Sequence, residues 1–105
     1  MPIVSGGFVR QRELAEAVRR VEESLQPDVL FIRHHIGPDW TGEPSIFLRV
    51  LLSDDAAKPD RLKPVTQKVA EAIAREVAAE KFGLHPYISF RSKAEQDRLQ
   101  EPAWA

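Results

Sequence analysis

The chain has 105 residues, no cysteine, and 15 basic against 16 acidic residues, for a net charge of -1. This length suits one domain with one modest core, and the missing thiols exclude a disulfide framework, a thiolate zinc site and a cysteine nucleophile. The charge balance shows no global attraction to nucleic acid or anionic lipid. Apolar runs reach only about four residues, against the roughly 20 needed to cross a bilayer. Residues 1–8 lack a basic region followed by an apolar run, which argues against a secretory signal. The expected location is the cytoplasm, with no membrane partner.

Residues 1–9 contain Gly6-Gly7 and read as a flexible lead-in, with Ile3, Val4 and Phe8 available to dock on a core. Over 10–26 the apolar residues Leu14, Val18, Val21 and Leu25 are spaced four, three and four apart, one stripe of a helix that Pro27 ends. Residues 29–36 are β-branched and aromatic and have strand length. Residues 37–45 form a long loop around Trp40, with turn signals at Gly37-Pro38 and Thr41-Gly42. Residues 46–53 are the second strand of a wide hairpin. A turn at 54–59 leads to a second helix from Lys63 or Pro64. Its stripe is Leu62, Val65, Val69, Ile73 and Val77, and Gly83 is its natural C′ residue. Residues 85–91 are a third strand. Ser92-Lys93-Ala94-Glu95 matches a capping box for a short helix over 93–100, and residues 101–105 close the chain.

The predicted fold class is α+β: a two-layer sandwich of order α-β-β-α-β plus a short final helix, with both long helices on one face of a three-stranded sheet. Side chains alternate across a strand. The core face therefore takes Leu30, Ile32, His34 and Ile36 from the first strand and Ile46, Leu48, Val50 and Leu52 from the second. The other face takes Phe31, Arg33, His35, Phe47, Arg49, Leu51, Tyr87, Ser89 and Arg91.

That open face concentrates aromatic rings and arginines. Three occupants fit it. Protein interfaces enrich aromatic and Arg anchors. Aromatics interleaved with arginine also suit a stacking platform for single-stranded nucleic acid. The final helix and the N-terminal segment, through Phe8, Leu99 and Trp104, are the internal alternative. The near-neutral charge favours protein over nucleic acid, since counterion release needs several phosphate contacts and three arginines are few.

Motifs for chemistry are sparse. His34 and His35 are neighbours on a strand and point to opposite faces, so they do not chelate one ion together. Asp54-Asp55 lacks the alternate spacing of a paired-carboxylate metal site and reads as a strand-ending turn. No phosphate-binding loop, nucleophile elbow or zinc-protease motif occurs. No catalytic residue, metal ligand or cofactor is nominated. Trp40, with Asp39 and Glu43, gives the long loop an acidic-aromatic tip that either binds a partner or folds back on the sheet.

The run from Ile36-Gly37-Pro38-Asp39-Trp40-Thr41-Gly42-Glu43-Pro44 to Arg49, with Arg91-Ser92-Lys93-Ala94-Glu95-Gln96 and Pro102-Ala103-Trp104, resembles small uncharacterised bacterial proteins loosely associated with toxin–antitoxin-like gene pairs. The resemblance implies a protein partner and carries no catalytic residues. The element order also resembles KH-like folds, but their Gly-x-x-Gly nucleic-acid loop is absent. The expected function is thus a non-enzymatic interaction module, binding itself or a protein partner through Phe31, Arg33, His35, Trp40, Phe47, Arg49, Tyr87 and Arg91. The alternatives are a weak single-stranded nucleic-acid binder using the same face, and an enzyme or metal-binding protein without a recognisable motif.

Overall fold

A computed structural model describes the backbone of residues 3–105 and the side chains from Arg10 onward. Its elements are α1 (Ile3–Ser24), β1 (Val29–Pro38), β2 (Pro44–Leu52), α2 (Leu62–Glu76), β3 (His85–Ser92) and α3 (Lys93–Leu99), with short 3-10 turns at Ala79–Phe82 and Pro102–Trp104. This is the expected α+β order. The sheet runs β1-β2-β3, with β1 antiparallel and β3 parallel to the central β2.

The helical stripes explain the packing. Leu14, Val18 and Val21 of α1 and Val65, Val69 and Ile73 of α2 share one core with Ile32, Ile46, Leu48, Val50 and Leu52 of the sheet. The core-facing set of β2 is uniformly buried: Ile46, Leu48, Val50 and Leu52 are each no more than 1% exposed. Burying each such side chain contributes about 1.5–3 kcal/mol, so β2 is the centre of the core as well as of the sheet. No helix among the described residues is long and apolar enough to cross a membrane.

Several local expectations are corrected. α1 begins at Ile3 and not near residue 10, so Gly6-Gly7 lies within a helix; the docking expected of Ile3, Val4 and Phe8 falls outside the described side chains. Leu30 is not a core residue. The ladder pairs Val29 with Leu52 and Phe31 with Leu51, leaving Leu30 as the extra residue of a bulge. A bulge resets the alternation, so Val29 is fully buried and Leu30 is 36% exposed. Leu62, placed in the stripe of α2, is also exposed because it opens the helix.

The hairpin loop is shorter than expected. Pairing continues through Gly37 with Ser45 and Pro38 with Pro44, leaving five residues, 39–43. Two facing prolines are tolerated because the neighbouring Asp39–Glu43 pair carries the hydrogen bond, Asp39 N–H to Glu43 O at 2.9 Å. The Pro38–Pro44 pair is then a non-hydrogen-bonded pair of the antiparallel ladder, where no N–H is required across the hairpin.

Gly83 does not close α2. The helix ends at Glu76, and Ala78 takes the left-handed conformation (φ 46°) with its N–H reaching Ile73 O at 3.3 Å. Gly83 (φ 71°) closes the following 3-10 turn, where Leu84 N–H reaches Ala79 O at 3.1 Å. Both stops share the six-residue closure that ends many helices. The N-cap half of the expected capping box forms: Ser92 Oγ accepts the Glu95 N–H at 3.1 Å, and Asp54 Oδ1, rather than the Glu95 side chain, adds a second bond by accepting the Ala94 N–H at 2.9 Å.

Candidate functional site

The sheet face away from α1 and α2 divides into two halves. The first is covered from within. The segment after α3 returns across the Leu51 end of the sheet and buries Trp104 to 6% exposure. Arg91 lies over the Trp104 ring at 4.7 Å, pairs with Glu101 at 2.7 Å and donates to Gln96 Oε1 at 3.0 Å. Gln96 in turn donates to Glu101 O at 2.9 Å. Arg33 stacks on Phe31 at 4.2 Å and donates to Ala105 O at 2.8 Å. The rings and the guanidinium groups therefore fasten the closing segment together. Leu99, the other candidate cover in α3, is 45% exposed and takes no part in the buried core.

The second half, toward the hairpin loop, is a band of rings. Phe47 and Tyr87 are register partners on adjacent strands and stack at 5.3 Å with planes 15° apart. His35 approaches Phe47 at 6.2 Å, and Tyr87 meets both His85 at 4.7 Å and Trp40 at 5.2 Å. Gly37 is on the same side of β1 as His35; a Cβ there would lie 3.1 Å from His35 Nε2, so the glycine leaves the imidazole its place.

The loop is fixed to this band through Asp39. Its Oδ1 accepts hydrogen bonds from the Thr41 N–H (2.9 Å), the Thr41 hydroxyl (2.7 Å) and the Glu43 N–H (3.0 Å). Its Oδ2 accepts the Tyr87 hydroxyl at 2.8 Å. A short polar side chain holding its own turn is the expected use of aspartate at such a position. These bonds, the Thr41 hydroxyl first among them, hold the Asp39 carboxyl well below its usual range, and the Asp39 carboxylate in turn raises the Tyr87 phenol. Asp39 is thus an anion at neutral pH that orients the loop and Tyr87. Asp39, not Trp40, ties the loop to the sheet, and Trp40 remains 80% exposed.

Arg49 lies between the halves. It sits opposite Arg33 on β1 and beside Ser89 on β3. Like charges directly across a ladder repel. Arg33 is engaged by Phe31 and Ala105, whereas Arg49, half-buried, has no carboxylate or ring partner among the described residues. Only one of the face's three arginines is therefore left to meet an external group.

The remaining polar motifs lie away from this band. His34 is half-buried on the core-facing side of β1, opposite Leu48, and burial followed by the nearby His35 lowers its pKa. Asp55 pairs with Lys58 and Arg61, and Arg61 also grips Asp28 through both carboxylate oxygens at 3.1 and 2.8 Å. This knot ties the turn before β1 to the turn after β2. No group of three potential metal ligands occurs among the described residues.

One feature had no motif to announce it. A cleft of about 610 Å3 opens beyond the carboxyl ends of β2 and β3, between the starts of α2 and α3, lined by Leu52, Pro59, Leu62, Thr66, Phe90 and Glu95 among others. Its residues come from four separate stretches, so only the parallel β2–β3 arrangement brings them together. In open parallel sheets this end is where ligands commonly sit, but none of the groups with a shifted pKa lines this cleft.

No family model, no curated protein and no solved structure matches the chain.

Proposed function

We propose that this protein is a non-enzymatic protein-interaction module whose binding surface is the loop half of the open sheet face: His35, Trp40, Phe47, Arg49 and Tyr87. The observation that carries the reading is the contrast at Trp40. Its ring is 80% exposed while the loop beneath it is held by four hydrogen bonds to Asp39. A large ring presented on an ordered loop loses little conformational entropy on binding, which is the economy of a preorganised anchor. Trp, Tyr and Arg are also the residue types that dominate binding energy at protein interfaces.

Phosphate-bearing partners suit this half less well. Asp39 and Glu43 place two carboxylates at the loop, and Arg49 stands alone as a cation without an internal partner among the described residues. Backbone phosphates are held by several cations acting together.

The test is a benzophenone-bearing photo-crosslinking residue, which keeps a large aromatic ring at the position, placed at position 40 in the producing cell, with the same residue at exposed Gln67 on α2 as the control. The expected result is a discrete protein adduct from position 40 and none from position 67. No protein adduct from position 40, or equal patterns from both, contradicts the proposal.

A further inference from the structure

We infer that the partner seated on the loop half is a second copy of this chain, joined by reciprocal contacts in which Arg49 of each copy enters the Trp40–Glu43 tip of the other. This rests on the interaction reading above and names its partner.

One copy leaves charges unmatched on this face. Arg49 is half-buried at the centre of the face, directly opposite Arg33, and no carboxylate among the described residues neutralises it. A guanidinium partly removed from water favours a counter-ion in a defined place. Glu43 is exposed at the loop, and its carboxylate has no hydrogen-bond or ion-pair partner among the described residues. The Asp39 carboxylate is already committed to Thr41, Tyr87 and the Glu43 N–H. Each copy thus carries one unmatched cation and one unmatched anion on the same surface, with an exposed indole beside the anion.

Their placement suits a two-fold axis. Closed dimers use the same patch twice, so residue i meets residue j and j meets i. Ile46 stands midway along the chain between Glu43 and Arg49. At about 3.3 Å per residue, each lies roughly 10 Å from a dyad crossing β2 there. That dyad brings each Arg49 to the partner's Glu43 and Trp40, an ion pair with a cation–π contact. The stacked Phe47 and Tyr87 rings, next to the dyad, then form the dry centre. The internally covered Leu51–Trp104 half stays at the rim.

Sedimentation equilibrium of the purified chain tests this with two charge reversals and their combination. The expected wild-type species has twice the chain mass. Glu43→Arg and Arg49→Glu each weaken the dimer about tenfold or more, and the double variant, which exchanges the charges, regains most of the loss. Circular dichroism monitors the fold, and if Arg49→Glu fails to fold, Glu43→Arg in the exposed loop carries the test alone. A wild type at the chain mass up to its solubility limit overturns the inference. So do single reversals that leave the dimer intact, or a double variant no better than the singles. A monomer that still forms an adduct from position 40 with a different protein removes the second copy and leaves the interaction module standing; a monomer with no adduct removes both.

Discussion

The two halves of the open sheet face are built from the same ingredients and put them to opposite uses. At the Leu51 end, Arg33 and Arg91 are spent inside the molecule, stacked on Phe31 and Trp104 and bonded to the closing segment. At the loop end, Phe47 and Tyr87 stack, Trp40 lies tilted against Tyr87, and Arg49 has no internal counter-ion among the described residues. The difference teaches that an aromatic-arginine surface is not by itself a binding site. What separates the halves is whether the guanidinium groups are already satisfied.

The largest expected effect comes from breaking the covered half. Trp104→Ala removes a ring that is 6% exposed, and emptying a buried aromatic site costs about 3–5 kcal/mol. The urea midpoint falls accordingly, and pairing through the loop half persists wherever the chain stays folded. Arg91→Ala is milder. It loses the stacking on Trp104 and the ion pair with Glu101, of which the arginine side chain is 14% exposed, for an expected loss of about 1–2 kcal/mol in the same measurement.

The loop half behaves in reverse. Trp40→Ala leaves the urea midpoint of the isolated chain within about 0.5 kcal/mol of wild type, as for an exposed side chain, while binding is lost. Asp39→Ala acts on order rather than on global stability. The Trp40 indole resonance moves toward its free-chain position as the loop loses its anchor, and binding weakens with it.

The smallest effect is in pH. Asp39 is lowered in the fold, so its contribution is present above its unfolded value near pH 4 and is lost only as pH falls through the lower folded value. Tyr87 is raised, so its contribution is present below about pH 10 and lost as pH rises through the higher folded value. With His35→Gln and His85→Gln removing the imidazoles of the same ring band, the Trp40 indole resonance should therefore stay unchanged from about pH 5 to 9, and a shift within that window contradicts the Asp39–Tyr87 anchor.

Much of the fold was legible because periodicity is a strong signal. The stripe of α1, that of α2 apart from Leu62, and the core-facing set of β2 place these elements in the core, and the Ser92 N-cap marks the start of α3. What was not legible depends on pairing. The bulge that turns Leu30 outward and Val29 inward exists only in the β1–β2 ladder, and Leu30 fits the alternation as well as Val29 does. Pro38 and Pro44 read as loop residues because their pairing needs the hydrogen-bonded Asp39–Glu43 pair beside it. The open face was predictable in membership but not in its division, since nothing in the composition says that Arg33 and Arg91 are engaged by the closing segment and Arg49 is not. The Asp39–Tyr87 bond joins residues 48 positions apart and leaves no local pattern.

The central claim, that the loop half is covered by a partner and the other half by the chain itself, is tested most directly by oxidative footprinting of the two tryptophans. The same chain is labelled by hydroxyl radicals in its producing cell and as dilute purified protein, and modification is read by mass spectrometry. The account predicts that Trp104 is protected in both samples, whereas Trp40 reacts readily in dilute solution and severalfold less in the cell. Equal reactivity of Trp40 in the two samples would contradict it.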